Sequence, residues 1–198
     1  MRLKGYDYSQ GGYYFVTICT KDREEWFGKI ENGEMVLSMC GKVAGDFWSE
    51  IPLHFQHVQI DEFSVMPNHV HGILILEENI VGNAYMRSHQ GNAFMHSLQD
   101  RTKMSLSKII QQYKASVTRK INSLEEGLNF GWQKSFYDHV IRNDKSLDNL
   151  RQYIANNPLK WELDIENRKG NSPHKNCADY YGEIMGKRVG NADLRSLH

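Results

Sequence analysis

Two short stretches carry side chains that can do chemistry. The first is Met66-Pro67-Asn68-His69-Val70-His71-Gly72, with two imidazoles two residues apart. On an extended strand these point to the same face, and Val70 points to the other. Two histidines so placed can reach one divalent ion. They can equally be sheet-surface residues with no ligand. The apolar run at residues 73–76 makes this an internal strand that presents its histidines at its start. The second stretch is Tyr153-Ile154-Ala155-Asn156-Asn157-Pro158. Tyr153 and Asn157 are four apart and share a helix face, with Leu150 and Ile154 as core contacts. One reading makes them a packing tyrosine and a helix stop. The other makes them a nucleophile and an amide-oxygen metal ligand one turn later. A phenol attacks phosphorus when a metal stabilises the phosphoryl charge and some group takes the proton.

The elements that must position these residues are legible in outline. Residues 13–20, YYFVTICT, are β-branched and aromatic after a Gly-Gly turn signal and read as a strand. A short hairpin is expected around Gly33. Residues 38–51 read as a helix capped by Ser38 and ended by Pro52. Residues 57–65 and 70–76 read as strands joined by a bend at Met66-Pro67-Asn68. Residues 105–121 form an amphipathic helix with Leu106, Ile109, Ile110, Tyr113, Val117 and Ile121 on one side. Residues 136–142 read as a strand. Residues 146–156 read as a helix closed at Asn157, because a residue before proline resists the α region. After Trp161 the sequence turns polar, and little regular structure is expected near the end. The order implies an α+β domain, ferredoxin-like in layout, with an antiparallel sheet and helices packed on one face.

The chain has 198 residues, enough for one domain with a core, and 24 cationic side chains balance 24 acidic ones. No apolar stretch is long enough to span a bilayer, and the first residues lack the apolar core of a signal peptide. Three cysteines without CxxC spacing point to reduced thiols and a cytoplasmic location. Charge is locally uneven. Arg101, Lys103, Lys108, Lys114, Arg119 and Lys120 follow Asp100 with no further acid among them. Such a run is either a solvated helix face or a surface for phosphates.

The motifs MPNHVHGILIL, SKIIQQYKASVTRKIN and GWQKSFYDHVIRND, followed by YIANNPLKW, resemble the single-tyrosine HUH transposases, and within them the REP-associated tyrosine transposases. YSQGGYYFVTICTKDRE is similar to that family's first strand. The resemblance runs from about Tyr6 to Trp161. It implies a domain over residues 1–165, with an inserted loop at about 79–103 and a polar tail at 166–198. It implies that His69, His71 and Asn157 bind Mg²⁺ or Mn²⁺ and that Tyr153 is the nucleophile on single-stranded hairpin DNA. Attack leaves a 5′-phosphotyrosyl enzyme and a free 3′-hydroxyl, which can rejoin DNA without an external energy source. Lys108, Lys114, Arg119 and Lys120 would grip the backbone, and Trp132, Phe136 and Tyr137 would stack on bases. The closer likeness favours a monomer over a homodimer. Tyr113 reads as core, Tyr137 as sheet or DNA-facing edge, and His139 as structural. His54 and His57 receive no role. Two other readings fit the same residues: a nucleic-acid-binding domain that does not cut, and a metal-dependent phosphodiesterase using water.

One phrase occurs three times: VGNAYMRSHQ from Val81, GNAFMHSLQ from Gly91 and VGNADLRSLH from Val189. The copies are too short and polar to stack as repeat units. Their codons can be self-complementary. GTA GGG AAC GCA GAT CTG CGT TCC CTA C encodes the third copy, as far as the first base of His198, and equals its own reverse complement. GGAACGCATATATGCGTTCC does the same within the first. GGG AAT GCA TTC ATG CAT TCC C pairs across the second except at its central TC. The differences compensate, since Arg87 becomes His96 as CGT becomes CAT, opposite a silent AAC-to-AAT change. These segments are therefore expected to be translated palindromic DNA with no catalytic duty.

Overall fold

The strand expected at residues 13–20 is β1, Gly12–Cys19. The computed structural model that contains it describes residues 11–77 and 106–186. The repeated phrases, Arg101 and Lys103 lie outside the described residues. Next come the hairpin strands β2 (Gly28–Glu31) and β3 (Glu34–Leu37). Asn32 and Gly33 have φ of 53° and 80° at its turn, a region that favours Gly and Asn. Helix α1, Met39–Ser49, is capped by Ser38, whose hydroxyl accepts the Gly41 N–H at 3.1 Å. Pro52 was expected to stop this helix. The break falls earlier, at Glu50, and Pro52 sits in the first turn of a second short helix, α2 (Ile51–His54), where its missing N–H is not needed. Strands β4 (Val58–Met66) and β5 (His69–Leu76), helix α3 (Leu106–Asn122), strand β6 (Tyr137–Ile141) and helix α4 (Asp144–Asn156) complete the expected series.

The four long strands form one antiparallel sheet in the order β4-β5-β1-β6. Because β5 and β1 are central, both of their faces are covered. Tyr14, Val16, Ile18, Val70 and Leu74 enter a core with α1 and α3. Phe15, Ile73 and Ile141 enter a second core with Leu147, Leu150 and Ile154 of α4. The α+β antiparallel arrangement is the expected one, but helices pack on both faces rather than on one. The continuous apolar run in β1 is the physical reason, since a strand buried on both sides does not alternate.

The segment after Trp161 also differs from expectation. A 3-10 turn at Pro158–Leu163 leads to a further helix, α5, Cys177–Ile184. Asn176 caps it by accepting the Asp179 N–H at 2.9 Å. Tyr180, Tyr181 and Met185 close the second core beside α4. Three polar residues of this segment are bonding partners for buried groups rather than solvent-seeking ones: Asp164, Glu166 and Asn167 are all buried. Among the described residues, no helix is long and apolar enough to cross a membrane.

Candidate active site

Strand register builds the first half of the site. His71 pairs with Thr17 and His69 with Cys19 on β1, so both imidazoles lie on the face covered by α4 and α5. Their ring centroids are 4.9 Å apart. Asn68, in the bend, fixes the His69 tautomer. Asn68 Nδ2 donates to the carbonyls of Glu166 (2.9 Å) and Arg23 (3.3 Å), so its Oδ1 must accept from His69 Nδ1, 2.9 Å away. The Nε2 lone pair of His69 is then available.

Helix α4 builds the second half. Asn143 caps it by accepting the Ser146 N–H at 2.9 Å, and Asp144 in the first turn suits the helix dipole. Arg151 docks the helix on the sheet through two bonds to Asp61 (2.9 and 2.6 Å), at the bulge between Ile60 and Phe63 of β4. The Tyr153 ring comes to 5.1 Å from His71 and 6.2 Å from Phe15. Asn157 follows one turn later and is completely buried. It was expected to leave the α region because proline follows. Its dihedrals, φ −60° and ψ −41°, are helical. Pro158 begins the next turn, where its ring is tolerated, and the Asn157 amide gains a buried partner in Asp164.

Asp164 ties the two halves together. Its Oδ2 accepts the Tyr153 hydroxyl at 2.8 Å and the Asn157 Nδ2, and its Oδ1 accepts the Glu166 N–H at 2.7 Å. Glu166 pairs with Arg23 at 2.6 Å and accepts the thiols of Cys19 (3.3 Å) and Cys177 (3.4 Å). Thr17 donates to the Tyr181 hydroxyl at 3.1 Å. Sequence reasoning missed Asn68, Asp164, Glu166 and Tyr181. The available signals were Asn68 within the MPNHVHG bend and the two carboxylates in Trp161-Glu162-Leu163-Asp164-Ile165-Glu166.

Burial sets the electrostatics. It pushes the His69 pKa down to about 4, against the pull of Glu166 and with a contribution from Arg23. It holds His71 well below the ordinary range, helped by the neighbouring His69. Both rings are therefore neutral at pH 7, the form that ligates metals. Burial also raises the Tyr153 phenol well above its ordinary value, with Tyr181 and Asp164 adding to the effect. The phenol keeps its proton until a reaction removes it.

Four buried atoms at this place have no hydrogen-bond partner: His69 Nε2, His71 Nδ1, His71 Nε2 and Asn157 Oδ1. A buried polar atom left unpaired costs about 1–3 kcal/mol, so their concentration on three neighbouring side chains calls for a ligand. Among the described residues, no three of His, Cys, Asp or Glu are grouped to hold a metal ion. The unpartnered Asn157 amide oxygen is a side-chain atom outside those residue types that could serve as a third donor. Two imidazoles and an amide oxygen fit an ion such as Mg²⁺ or Mn²⁺ that keeps positions open for other oxygens.

The other expected residues are dispersed. Lys108, Lys114, Arg119 and Lys120 lie on α3, whose apolar side packs on the opposite sheet face from the histidines. Lys114 is half-buried and donates to the Gln133 carbonyl at 2.5 Å. Burial lowers its pKa. Trp132 donates to the Lys114 carbonyl at 3.2 Å and packs with Phe27, Phe130 and Tyr113. Phe136 packs against the same core. Arg119 and Lys120 line a shallow cavity of about 300 Å³ with Phe47, Ser116 and Ser123. Tyr137 is on the histidine face, 4.5 Å from Tyr181. Tyr113 is core, as expected, and donates to the Ala44 carbonyl at 3.0 Å.

No family model matches the chain. A Haemophilus influenzae protein described only as uncharacterized is 38% identical over 164 residues, covering 83% of this chain and 89% of that protein. A second protein of the same organism, named "Putative REP-associated tyrosine transposase", is 27% identical over 194 residues, covering 96% of this chain and 94% of its own. Among solved structures, a REP-associated tyrosine transposase bound to a REP hairpin aligns with a TM-score of 0.53 at 20% identity. That alignment covers 81% of this chain and 74% of the other, and it shows a shared fold.

Proposed function

We propose that this chain, which is 27% identical to a protein named as a putative REP-associated tyrosine transposase and shares the fold of a solved one, cuts and rejoins single-stranded hairpin DNA through Tyr153. The observation that carries the reading is the set of partnerless donor atoms on His69, His71 and Asn157, next to a phenol held by a carboxylate. Those three side chains would hold Mg²⁺ or Mn²⁺, which supplies charge stabilisation at the scissile phosphate. Tyr153 Oη attacks phosphorus, and the bond to the departing 3′ oxygen breaks. The phenol proton has an acceptor already in place, Asp164 Oδ2 at 2.8 Å. The products are a 5′-phosphotyrosine on Tyr153 and a 3′-hydroxyl, and the reverse attack by a 3′-hydroxyl rejoins DNA. His71 and Tyr153 of the same chain are in ring contact, so the site needs no residue from a second copy.

Lys108, Arg119 and Lys120 are the cations with which α3 would hold phosphates, by contacts that weaken as salt rises. Tyr137 is the aromatic that shares the site's face. Lys114, Trp132 and Phe136 are engaged in holding the loop before β6 to α3. That all three repeated phrases can be written in codons that are self-complementary or nearly so favours palindromic DNA as the substrate class.

The test is incubation with single-stranded hairpin DNA and Mn²⁺, followed by a denaturing gel for protein–DNA adducts. Wild type should form a 5′-linked adduct and Tyr153→Phe none. An adduct in Tyr153→Phe would place the nucleophile elsewhere. Cutting without any adduct would mean that water is the nucleophile, and binding without cutting would mean a non-catalytic domain.

A further inference from the structure

A primary amide is asymmetric: one end donates hydrogen bonds and the other accepts them. Which end of Asn157 is available therefore depends on what its other end touches. Asn157 Nδ2 is bonded to Asp164 Oδ2, and Asn157 Oδ1 is the end left buried without a partner. Asp164 is itself fully buried, and its Oδ1 is occupied by the Glu166 N–H at 2.7 Å. The same Oδ2 accepts the Tyr153 hydroxyl at 2.8 Å and faces the Tyr180 hydroxyl at 3.5 Å. An ionised carboxylate only accepts, so both of its oxygens are matched to the donors around them. A flipped Asn157 would set its oxygen against that carboxylate and lose the bond.

We propose that Asp164 is a positioning residue that sets the polarity of the Asn157 amide, keeping its oxygen rather than its nitrogen available as a metal donor, while the same carboxylate oxygen holds the Tyr153 hydroxyl. This rests on the reading that Asn157 is a metal ligand. The substitution Asp164→Asn is isosteric but cannot accept at both ends. If its oxygen stays on the Glu166 N–H, its nitrogen faces Asn157, whose amide must then flip and turn its own nitrogen toward the donor position. Asp164→Glu is larger by one methylene yet remains acceptor-only.

Mn²⁺ affinity of the full chain without DNA, read by the loss of the free-ion paramagnetic resonance signal, tests this. Circular dichroism melts report folding. Asp164→Asn should bind Mn²⁺ about 10–100-fold more weakly than wild type, the usual effect of losing a partner that orients a ligand. Asp164→Glu should lie closer to wild type. A packing role gives the opposite order, because the isosteric variant disturbs packing least. Wild-type affinity in Asp164→Asn, or weaker binding in Asp164→Glu than in Asp164→Asn, overturns the proposal. Asn157→Ala separates the two levels. If it binds like wild type, the metal-site reading fails and this inference fails with it. If it loses binding while Asp164→Asn does not, this inference alone fails. Should Asp164→Asn not melt cooperatively, Asp164→Glu decides: affinity within tenfold of wild type supports the role, and affinity at the Asn157→Ala level overturns it.

Discussion

Gly72 follows the second histidine at a point where the sheet has no room for a side chain. A Cβ built there would lie 2.6 Å from Phe63 Cβ, 2.8 Å from Trp48 Cζ2 and 3.1 Å from the Glu62 carbonyl. Ordinary carbon contacts are about 3.5–4.0 Å, so about 1 Å must be found. Phe63 Cβ is fixed by its own backbone, which pairs with Gly72 across β4. Trp48 is fully buried, stacked on Phe63 at 5.9 Å and edge-on to Tyr113 at 5.3 Å. No neighbour can swing away, so Gly72→Ala belongs at the upper end of the overpacking range, about 3 kcal/mol. For a domain of this size that lowers the melting temperature by roughly 6–12 °C. Gly45 in α1 is the control. Its Cβ would meet only Val65 Cγ2, at 3.7 Å, and Gly→Ala inside a helix stabilises by about 0.5–1 kcal/mol. The two substitutions should move thermal melts in opposite directions. A Gly72→Ala melt within about 1 °C of wild type would refute the argument that Phe63 and Trp48 cannot yield to a side chain at this position.

Acid should weaken the fold through the buried histidines. The His69 pKa is near 4 in the folded chain and 6.5 in the reference state; between these values only the unfolded chain binds the proton, so stability falls with pH from about 6.5 and levels off near 4. That gap corresponds to on the order of 3 kcal/mol. Urea midpoints at pH 7 and 4.5 in EDTA should therefore differ less in His69→Gln than in wild type, and equal differences would sink the argument. Arg151→Ala removes the pair that docks α4 on the bulge of β4. Because Arg151 is 41% exposed, the loss should be only about 0.5–1 kcal/mol and should shrink in high salt, as read from urea midpoints. In the gene, codons should pair across each of the three repeated phrases, and direct sequencing decides this.

The parts of the site that follow a period were legible in the sequence. His69 and His71 share a face because strands repeat every two residues, and Tyr153 and Asn157 do so because helices nearly repeat every four. The capping roles of Ser38 and the stripe from Leu106 to Ile121 were legible for the same reason. Asp164 and Glu166 were not, because they reach the site through a turn with no period and their composition reads as solvent-seeking. Tyr180 and Tyr181 share that history: only the second face of the sheet, left open by α4, explains why α5 exists. Lys114 and Trp132 carried the signature of nucleic-acid contacts, yet their polar atoms serve backbone carbonyls. Residue type alone does not distinguish those uses.

The bonds that close this site span most of the chain. Thr17 meets Tyr181 across 164 positions and Cys19 meets Glu166 across 147. A ribosome adds about 5–20 residues per second, so the interval between His71 and Tyr181 is on the order of 5–20 s of synthesis. For the first part of it the histidine face of β5 and β1 has none of the groups that later cover it, because α4, Asp164 and Glu166 all follow in the sequence. The face that carries the two histidines is thus closed by parts of the chain made well after them, and the candidate site is complete only once α5 has docked.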